Sequence, residues 1–398
     1  MKRTGTAVIL GAAIFVGLLF GQKIETVDGL RIVYNDDQGL WKGHPQISIK
    51  NTKQIGKVDS EDDNYLFFRP SDLAVDSEGN IYVLDAGNHR IQKFDPEGKY
   101  LDSFGRQGQG PGEFQFPLSL AIDKEGRMYI PDAGNQHLVI LNADGSLYKN
   151  IKLDRDAIGP MKVLPSGKFL RGTGDFFILS GDSSQDQELP KLFKVLDSDG
   201  NEEIEFGERK DFDDSIMNMM GNRCQFTADV WGNIYASFVH QNRIEKYSPD
   251  GKPQWRAERE LDYSMKPPKK KGKVERSGNN VMIQAPEMNQ CSHGIAVDGK
   301  GRIWVVTLNR QINEEERVGT VARVEQGAGG RNMSMSTTGN TDLRKTDMYK
   351  LEVFDQAGAL LGSFPLDHFV NDIRIHGDKI YLLDRDRGAQ FYEYRIIE

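Results

Sequence analysis

Two stretches of the chain align with each other without a gap, and this repetition constrains the fold more than any other feature of the sequence. The first runs Pro70-Ser71-Asp72-Leu73-Ala74-Val75-Asp76, then Gly79-Asn80-Ile81-Tyr82 and Asp85-Ala86-Gly87-Asn88. The second places Pro117, Ala121, Ile122, Asp123, Gly126, Met128, Tyr129, Asp132, Ala133, Gly134 and Asn135 at matching positions. Apolar alternation marks four short strands in the first unit, at residues 73–75, 81–84, 91–94 and 100–104. Ser77-Glu78-Gly79-Asn80 and Asp95-Pro96-Glu97-Gly98 put glycine where a tight turn needs positive φ. Four-stranded units repeating every roughly 40 to 50 residues are the sequence form of propeller blades.

Four further copies are more worn. The third runs from Gly159 through Leu164, Gly167 and Phe169 to the turn Asp197-Ser198-Asp199-Gly200. The fourth has Asp229, Gly232-Asn233-Ile234-Tyr235 and Pro249-Asp250-Gly251, and the fifth Ile295-Ala296-Val297-Asp298 and Ile303-Trp304, resuming at Leu351. The sixth, from Ile373 through Lys379-Ile380-Tyr381-Leu382-Leu383-Asp384 to residues 391–396, supplies only three strands. Ile55-Gly56 followed by Arg69-Pro70 parallels Phe104-Gly105 followed by Phe116-Pro117, so the N-terminal segment reads as the missing strand. The expected fold is all-β: a six-bladed β-propeller of four-stranded antiparallel blades over residues 50–398, closed by an N-terminal strand in the last blade. Such closure removes the open edges that template aggregation.

Lys2 and Arg3 precede an uncharged apolar run at residues 7–20, the layout of a secretory signal. Residues 1–22 are therefore read as a signal peptide or a retained N-terminal anchor, and 23–49 as an N-terminal extension. The run is shorter than the ~20 residues of a membrane-spanning helix, so membrane association is expected only through an uncleaved N-terminal segment. The expectation is an exported monomer, periplasmic or extracellular. A net charge of −8 opposes a nucleic-acid partner.

Asn88-His89-Arg90-Ile91 after Asp85-Ala86-Gly87, together with the glycine-rich connector 105–114, resembles the NHL-repeat signature. The resemblance covers roughly Lys50 to the C-terminus and implies a six-bladed propeller. Its relatives include binding and scaffold modules, and also peptidylglycine lyases and calcium-dependent lactonases, so fold alone does not select a function.

Repetition also separates scaffold from site, because a residue recurring at one blade position serves the blade. Asp85, Asp132 and Asp384 recur after the second strand and read as turn carboxylates, with His89 in the same turn. The connector glycines 105, 108, 110 and 112 precede a strand pattern, not the helix a phosphate loop requires. The lysines at 266, 269, 270, 271 and 273 read as a solvated loop. His293-Gly294 resembles the zinc-binding feature of the lyases, but the equivalent positions hold Ser71, Leu118, Gly159, Cys224 and about Val370, and one imidazole cannot make a three-ligand zinc site. For a lactonase-like calcium site only Asp72 and Asn371 present themselves. No cofactor is expected, and a divalent metal belongs to the alternative reading as a propeller lyase or hydrolase. Cys224 and Cys291 fall at the starts of neighbouring inner strands and form either a disulfide or two buried thiols.

If strands alternate in direction, second-to-third-strand loops and the connectors between blades open on one face. The insertions at 172–190, 256–290 and 307–348 all belong there. Arg69, Asp72, Arg223, His293 and Asn371, at the non-repeating starts of inner strands, are the candidate ligand-binding residues. The expected function is recognition of a protein, a peptide or a small polar ligand on that face.

Overall fold

The computed structural model describes residues 15–19, 22–153, 159–172, 189–277, 280–327 and 330–398. Six antiparallel sheets follow one another along the chain as blades. From the innermost strand outward, blade one is Asp72–Val75, Ile81–Asp85, Arg90–Phe94 and Tyr100–Phe104, and blade two is Ala121–Ile122, Met128–Asp132, His137–Leu141 and Leu147–Lys152. Blade three is Met161–Val163, Phe169–Gly172, Phe193–Leu196 and Glu202–Phe206, and blade four Cys224–Ala228, Ile234–Phe238, Ile244–Tyr247 and Pro253–Arg259. Blade five is Ser292–Val297, Ile303–Leu308, Lys345–Phe354 and Leu360–His368. Blade six is Asp372–His376, Lys379–Asp384 and Gln390–Ile397, with Ser48–Ile55 as its outer strand.

The repeated sequence is explained by one turn. Asp76 Oδ1 accepts the N–H groups of Glu78 and Asn80, and Gly79 takes φ 85° to close the hairpin. Asp76 Oδ2 accepts the Tyr82 hydroxyl at 3.1 Å. The device recurs as Asp123 with Tyr129 at 2.7 Å, Asp229 with Tyr235 at 3.0 Å, and Asp298 with the Trp304 indole at 2.9 Å. One carboxylate thus fixes the turn and anchors an aromatic whose body fills the interface to the next blade.

The expected clasp is present: Gln390–Ile397 pairs antiparallel with Ser48–Ile55, from Phe391 opposite Ile55 to Ile397 opposite Ser48. The segment 23–49, expected as an extension, is instead a strap. Gln22–Val27 and Leu30–Asn35 form a hairpin whose second strand joins the outer edge of blade four in parallel, Arg31 opposite Trp255 and Asn35 opposite Arg259. The chain then crosses blade five, where the N–H groups of Leu40 and Trp41 donate to the carbonyls of Leu360 and Leu361 at 2.9 and 2.7 Å. The buried Trp41 ring meets Phe364 edge-on before the chain enters blade six. Of the expected signal segment, Phe15–Leu19 is a strand paired with Gln22–Val27, and the rest lies outside the described residues. No helix among the described residues is long and apolar enough to cross a membrane.

The strap covers a buried ion pair. Arg259 reaches Glu352 at 3.4 Å and also donates to Ser292, Thr307 and Cys291 Sγ. Both charges lie wholly inside the junction of blades four and five, a pairing that is costly to break from either side.

Two outcomes follow. Trp41→Ala is expected to cost about 3 kcal/mol in chemical denaturation, the range for a large aromatic lost from a core. In calorimetry the full chain is expected to unfold in a single cooperative transition, and a chain beginning at Pro70, with neither clasp nor strap, is expected to lose it.

Candidate binding site at the axial rim

Contacts between chain segments define the loop-rich face. The Lys271 ammonium donates to the Asp213 carbonyl at 2.9 Å, joining the connectors that flank blade four. Arg317 pairs with Glu287 at 2.7 Å, and Arg387 donates to the Glu316 carbonyl. These bonds tie the connector 260–291, the insertion of blade five and the second-to-third-strand loop of blade six. The insertions are not plain loops: Lys273–Ser277 pairs with Asn280–Gln284, and Val318–Gly327 with Gly330–Gly339. A short helix, Ser215–Gly221, capped by the Asp214 carboxylate, precedes blade four. Of the expected insertion 172–190, residues 173–188 lie outside the described residues.

Asp72 is placed differently from expectation. Its carboxylate is buried and accepts Arg374 Nε of blade six at 2.7 Å, Lys162 Nζ of blade three at 3.5 Å and the Leu120 N–H of blade two at 3.0 Å. Blades one and three are not neighbours in the ring, so this contact spans the axis. Burial alone would raise the Asp72 pKa, but the charges of Arg374 and Lys162 hold it at about 2. Desolvation lowers that of Lys162 in turn. Asp72 is consumed in tying four blades together and is not open to a ligand.

His293 is likewise occupied, with Nδ1 3.0 Å from the Val370 carbonyl and Nε2 2.5 Å from the Gln290 side chain. Burial pushes its pKa down to about 4, so the ring is neutral near pH 7. The Asn371 amide donates to Asp386 at 3.1 Å and accepts the Arg385 N–H at 2.8 Å. Neither residue presents a free metal donor, and no three His, Cys, Asp or Glu side chains converge among the described residues.

Neither Cys224 nor Cys291 is in a disulfide. Cys224 packs against the core between blades three and four, whereas Cys291 faces Arg259 at the next junction. The disulfide expectation fails because neighbouring strand starts do not make side chains point at each other. The turn carboxylates hold as read: Asp85 accepts from Phe68 N, Asn88 and Arg90, and Asp132 from the N–H groups of Gln115, Phe116 and Gly134. His89 sits at φ 55° in that turn, matched by Gln136 at φ 57°.

What remains at the rim is cationic. Arg69 has φ 52°, a left-handed backbone that ordinary side chains rarely adopt, and its Nη1 is buried without a hydrogen-bond partner among the described residues. Beside it Arg385 donates to the Pro70 carbonyl at 3.2 Å. Arg387 lies on the Phe369 ring, 3.5 Å from its centroid, with Nε buried and unpartnered. Arg223 is exposed, and its charge acts on both His240 and His293. Opposing these four guanidinium groups is Asp386; burial raises the Asp384 carboxyl to about 6. Sequence reading missed Arg385 and Arg387. The signal was available, since Asp384-Arg385-Asp386-Arg387-Gly388 departs from the Asp-Ala-Gly-Asn of blades one and two.

The acid limb of stability tests the axial tie. Because the folded pKa of Asp72 lies below its ordinary value of 3.8, the pairing stabilises above about pH 4 and is lost as pH falls toward 2. Asp72→Asn is expected to be less stable by about 2 kcal/mol at pH 7, with the gap closing near pH 2 in urea titrations at both values.

Comparison with known proteins agrees with this architecture. Over 51 residues the chain is 41% identical to the Drosophila melanogaster protein brain tumor, a match covering 13% of this chain and 5% of that protein. A solved structure from Bacteroides vulgatus superposes with a TM-score of 0.55 at 9% identity, covering 88% of this chain and 98% of that one. A virginiamycin B lyase from Staphylococcus aureus superposes with a TM-score of 0.45 at 10% identity, covering 87% and 99%. At 9% identity the likeness to the Bacteroides vulgatus structure is one of fold. A family model described as a 6-bladed beta-propeller matches residues 61–278, and the chain belongs to that family.

Proposed function

We propose that this chain is an exported binding propeller that takes an anionic group, a carboxylate or phosphate, at the axial rim of its loop-rich face. The reading is carried by the buried, unpartnered Nη1 of Arg69 on a strained backbone, next to a second guanidinium from blade six. A buried donor without a partner costs about 1–3 kcal/mol and more when charged, and an anion supplies the missing acceptor. The whole chain carries a net charge of −8, so a cationic rim is a local departure that attracts anions against the general field. The inserted hairpins belong to segments tied to this face through Arg317–Glu287 and Arg387–Glu316, and the apolar run near Lys2 and Arg3 supports export.

Arg69→Gly separates a ligand role from a structural one. Glycine adopts positive φ without strain, so the variant is expected to keep or gain thermal stability while losing the anion contact. Thermal-shift titration of the full chain with inorganic phosphate and with citrate is expected to show stabilisation that falls with added salt. It should weaken at least tenfold in Arg69→Gly and in Arg223→Gln. Binding that survives both substitutions contradicts the proposal.

A further inference from the structure

A second depression on the loop-rich side carries an independent inference. A cavity of about 620 Å³ opens between blades five and six, walled by Gly56, Lys57 and Asp59 on one side and Arg344, Lys345 and Asp367 on the other. Its existence follows from the connectors. Where blade six passes to blade one, Gly56 at φ 95° lies under Phe67, and where blade one passes to blade two, Gly105 at φ 83° lies under Phe114. In both places a connector aromatic plugs the junction so closely that a Cβ would collide with it. Between blades five and six the outer strand runs on to His368, and the next inner strand starts at Asp372, so only residues 369–371 connect them. In this short connector the aromatic, Phe369, is buried in the core shared by blades five and six and does not line the cavity.

The floor is a polar aromatic stack. His368 lies 3.7 Å from the Tyr392 centroid at 21° and 6.0 Å from that of Tyr394 at 23°. Burial lowers the pKa of His368, leaving the ring neutral near pH 7. Nδ1–H is then directed at the Phe369 carbonyl, 3.1 Å away, and Nε2 accepts the Tyr394 hydroxyl at 2.9 Å. Gln390 Nε2 donates to the Tyr392 hydroxyl at 2.7 Å. The Tyr392 residue is 7% exposed and lines the cavity, and its own hydroxyl hydrogen has no acceptor among the described residues. Asn51 and Gln54 add amides from the clasp strand.

Every group on this floor is neutral, and most both donate and accept. The walls set the cations Lys57, Arg344 and Lys345 against the carboxylates Asp59 and Asp367, so no single sign of charge commands the cavity. A purely apolar ligand would seal off the Tyr392 hydroxyl with its hydrogen unpaired. A molecule rich in hydroxyls, each of them donor and acceptor, matches the set, and the volume suits a ligand of one or two sugar rings. We infer that the cavity between blades five and six binds a neutral saccharide, through Tyr392, Gln390 and the amides of Asn51 and Gln54. The site is separate from the axial rim and does not depend on the anion reading.

Isothermal titration of the full chain against a panel of neutral mono- and disaccharides (glucose, galactose, mannose, maltose, cellobiose and lactose) tests it. At least one is expected to bind, with an affinity unchanged between 50 and 500 mM salt. Tyr392→Phe, which removes a single oxygen, and Gln54→Ala, on the exposed wall, are each expected to weaken it tenfold or more with unchanged circular dichroism. Arg69→Gly is expected to leave it unaltered. The inference is overturned if no sugar in the panel binds, if binding survives both Tyr392→Phe and Gln54→Ala, or if only glucuronate or phosphate binds in a salt-sensitive way.

Discussion

The ring depends on one strand pairing that joins the two ends of the chain. Ser48–Ile55 completes the sheet begun by the last three strands, so blade six exists only when residues more than 340 positions apart meet, as Thr52 and the Glu393 carbonyl do. Each of the other blades forms from contiguous chain, at low cost in loop closure. Closing the circle carries the long-range cost, and every interface between blades returns its burial energy only if the circle closes. The strap spreads that closure over three blades by adding a parallel strand to blade four and laying Trp41 on blade five. At the axis, Asp72 ties blades one, two, three and six through a single carboxylate.

This closure makes a site possible on the loop-rich face. Arg69 lies in the connector that follows the clasp strand, Arg385 and Arg387 in the loop that precedes its partner, and Arg223 at the start of blade four. They share a rim only in the closed ring. The charges buried in the wall are matched: Asp72 has Arg374 and Lys162, and Glu352 has Arg259 and Lys350. At the rim, Arg69 Nη1 and Arg387 Nε have no hydrogen-bond partner among the described residues.

Much of this was legible because the blade repeats. The Asp-x-x-Gly turn with its aromatic three residues further on, and the missing fourth strand of the last blade, are local patterns with a fixed spacing, and both have a direct structural cause. The strap was not legible, since Leu30–Asn35 adds to blade four in parallel and no turn or repeat announces such an edge. Asp72 was picked out as a non-repeating inner-strand residue, yet Asp372 stands at the matching register of blade six, opposite Leu383 as Asp72 is opposite Leu84. The role of Asp72 depends on Arg374 and Lys162, which lie 302 and 90 residues away and meet it only across the axis. The same limit explains His293, whose ring nitrogens are filled by Val370 and Gln290, and the two cysteines, whose directions are set by blade twist. The cavity between blades five and six opens beside a three-residue connector whose aromatic, Phe369, is buried in the core, an arrangement that only becomes readable once strand ends are known.

Hydrogen–deuterium exchange followed along the clasp tests the central claim most directly. If closure by Ser48–Ile55 holds the ring as one cooperative unit, the buried amides of that strand and of Gln390–Ile397 exchange only through global opening. They then share one free energy with the inner strands of blades one to five, and all shift together under mild denaturant. If the clasp strand instead exchanges through its own low-energy opening while the other blades stay protected, the ring does not depend on its closure and the account is wrong.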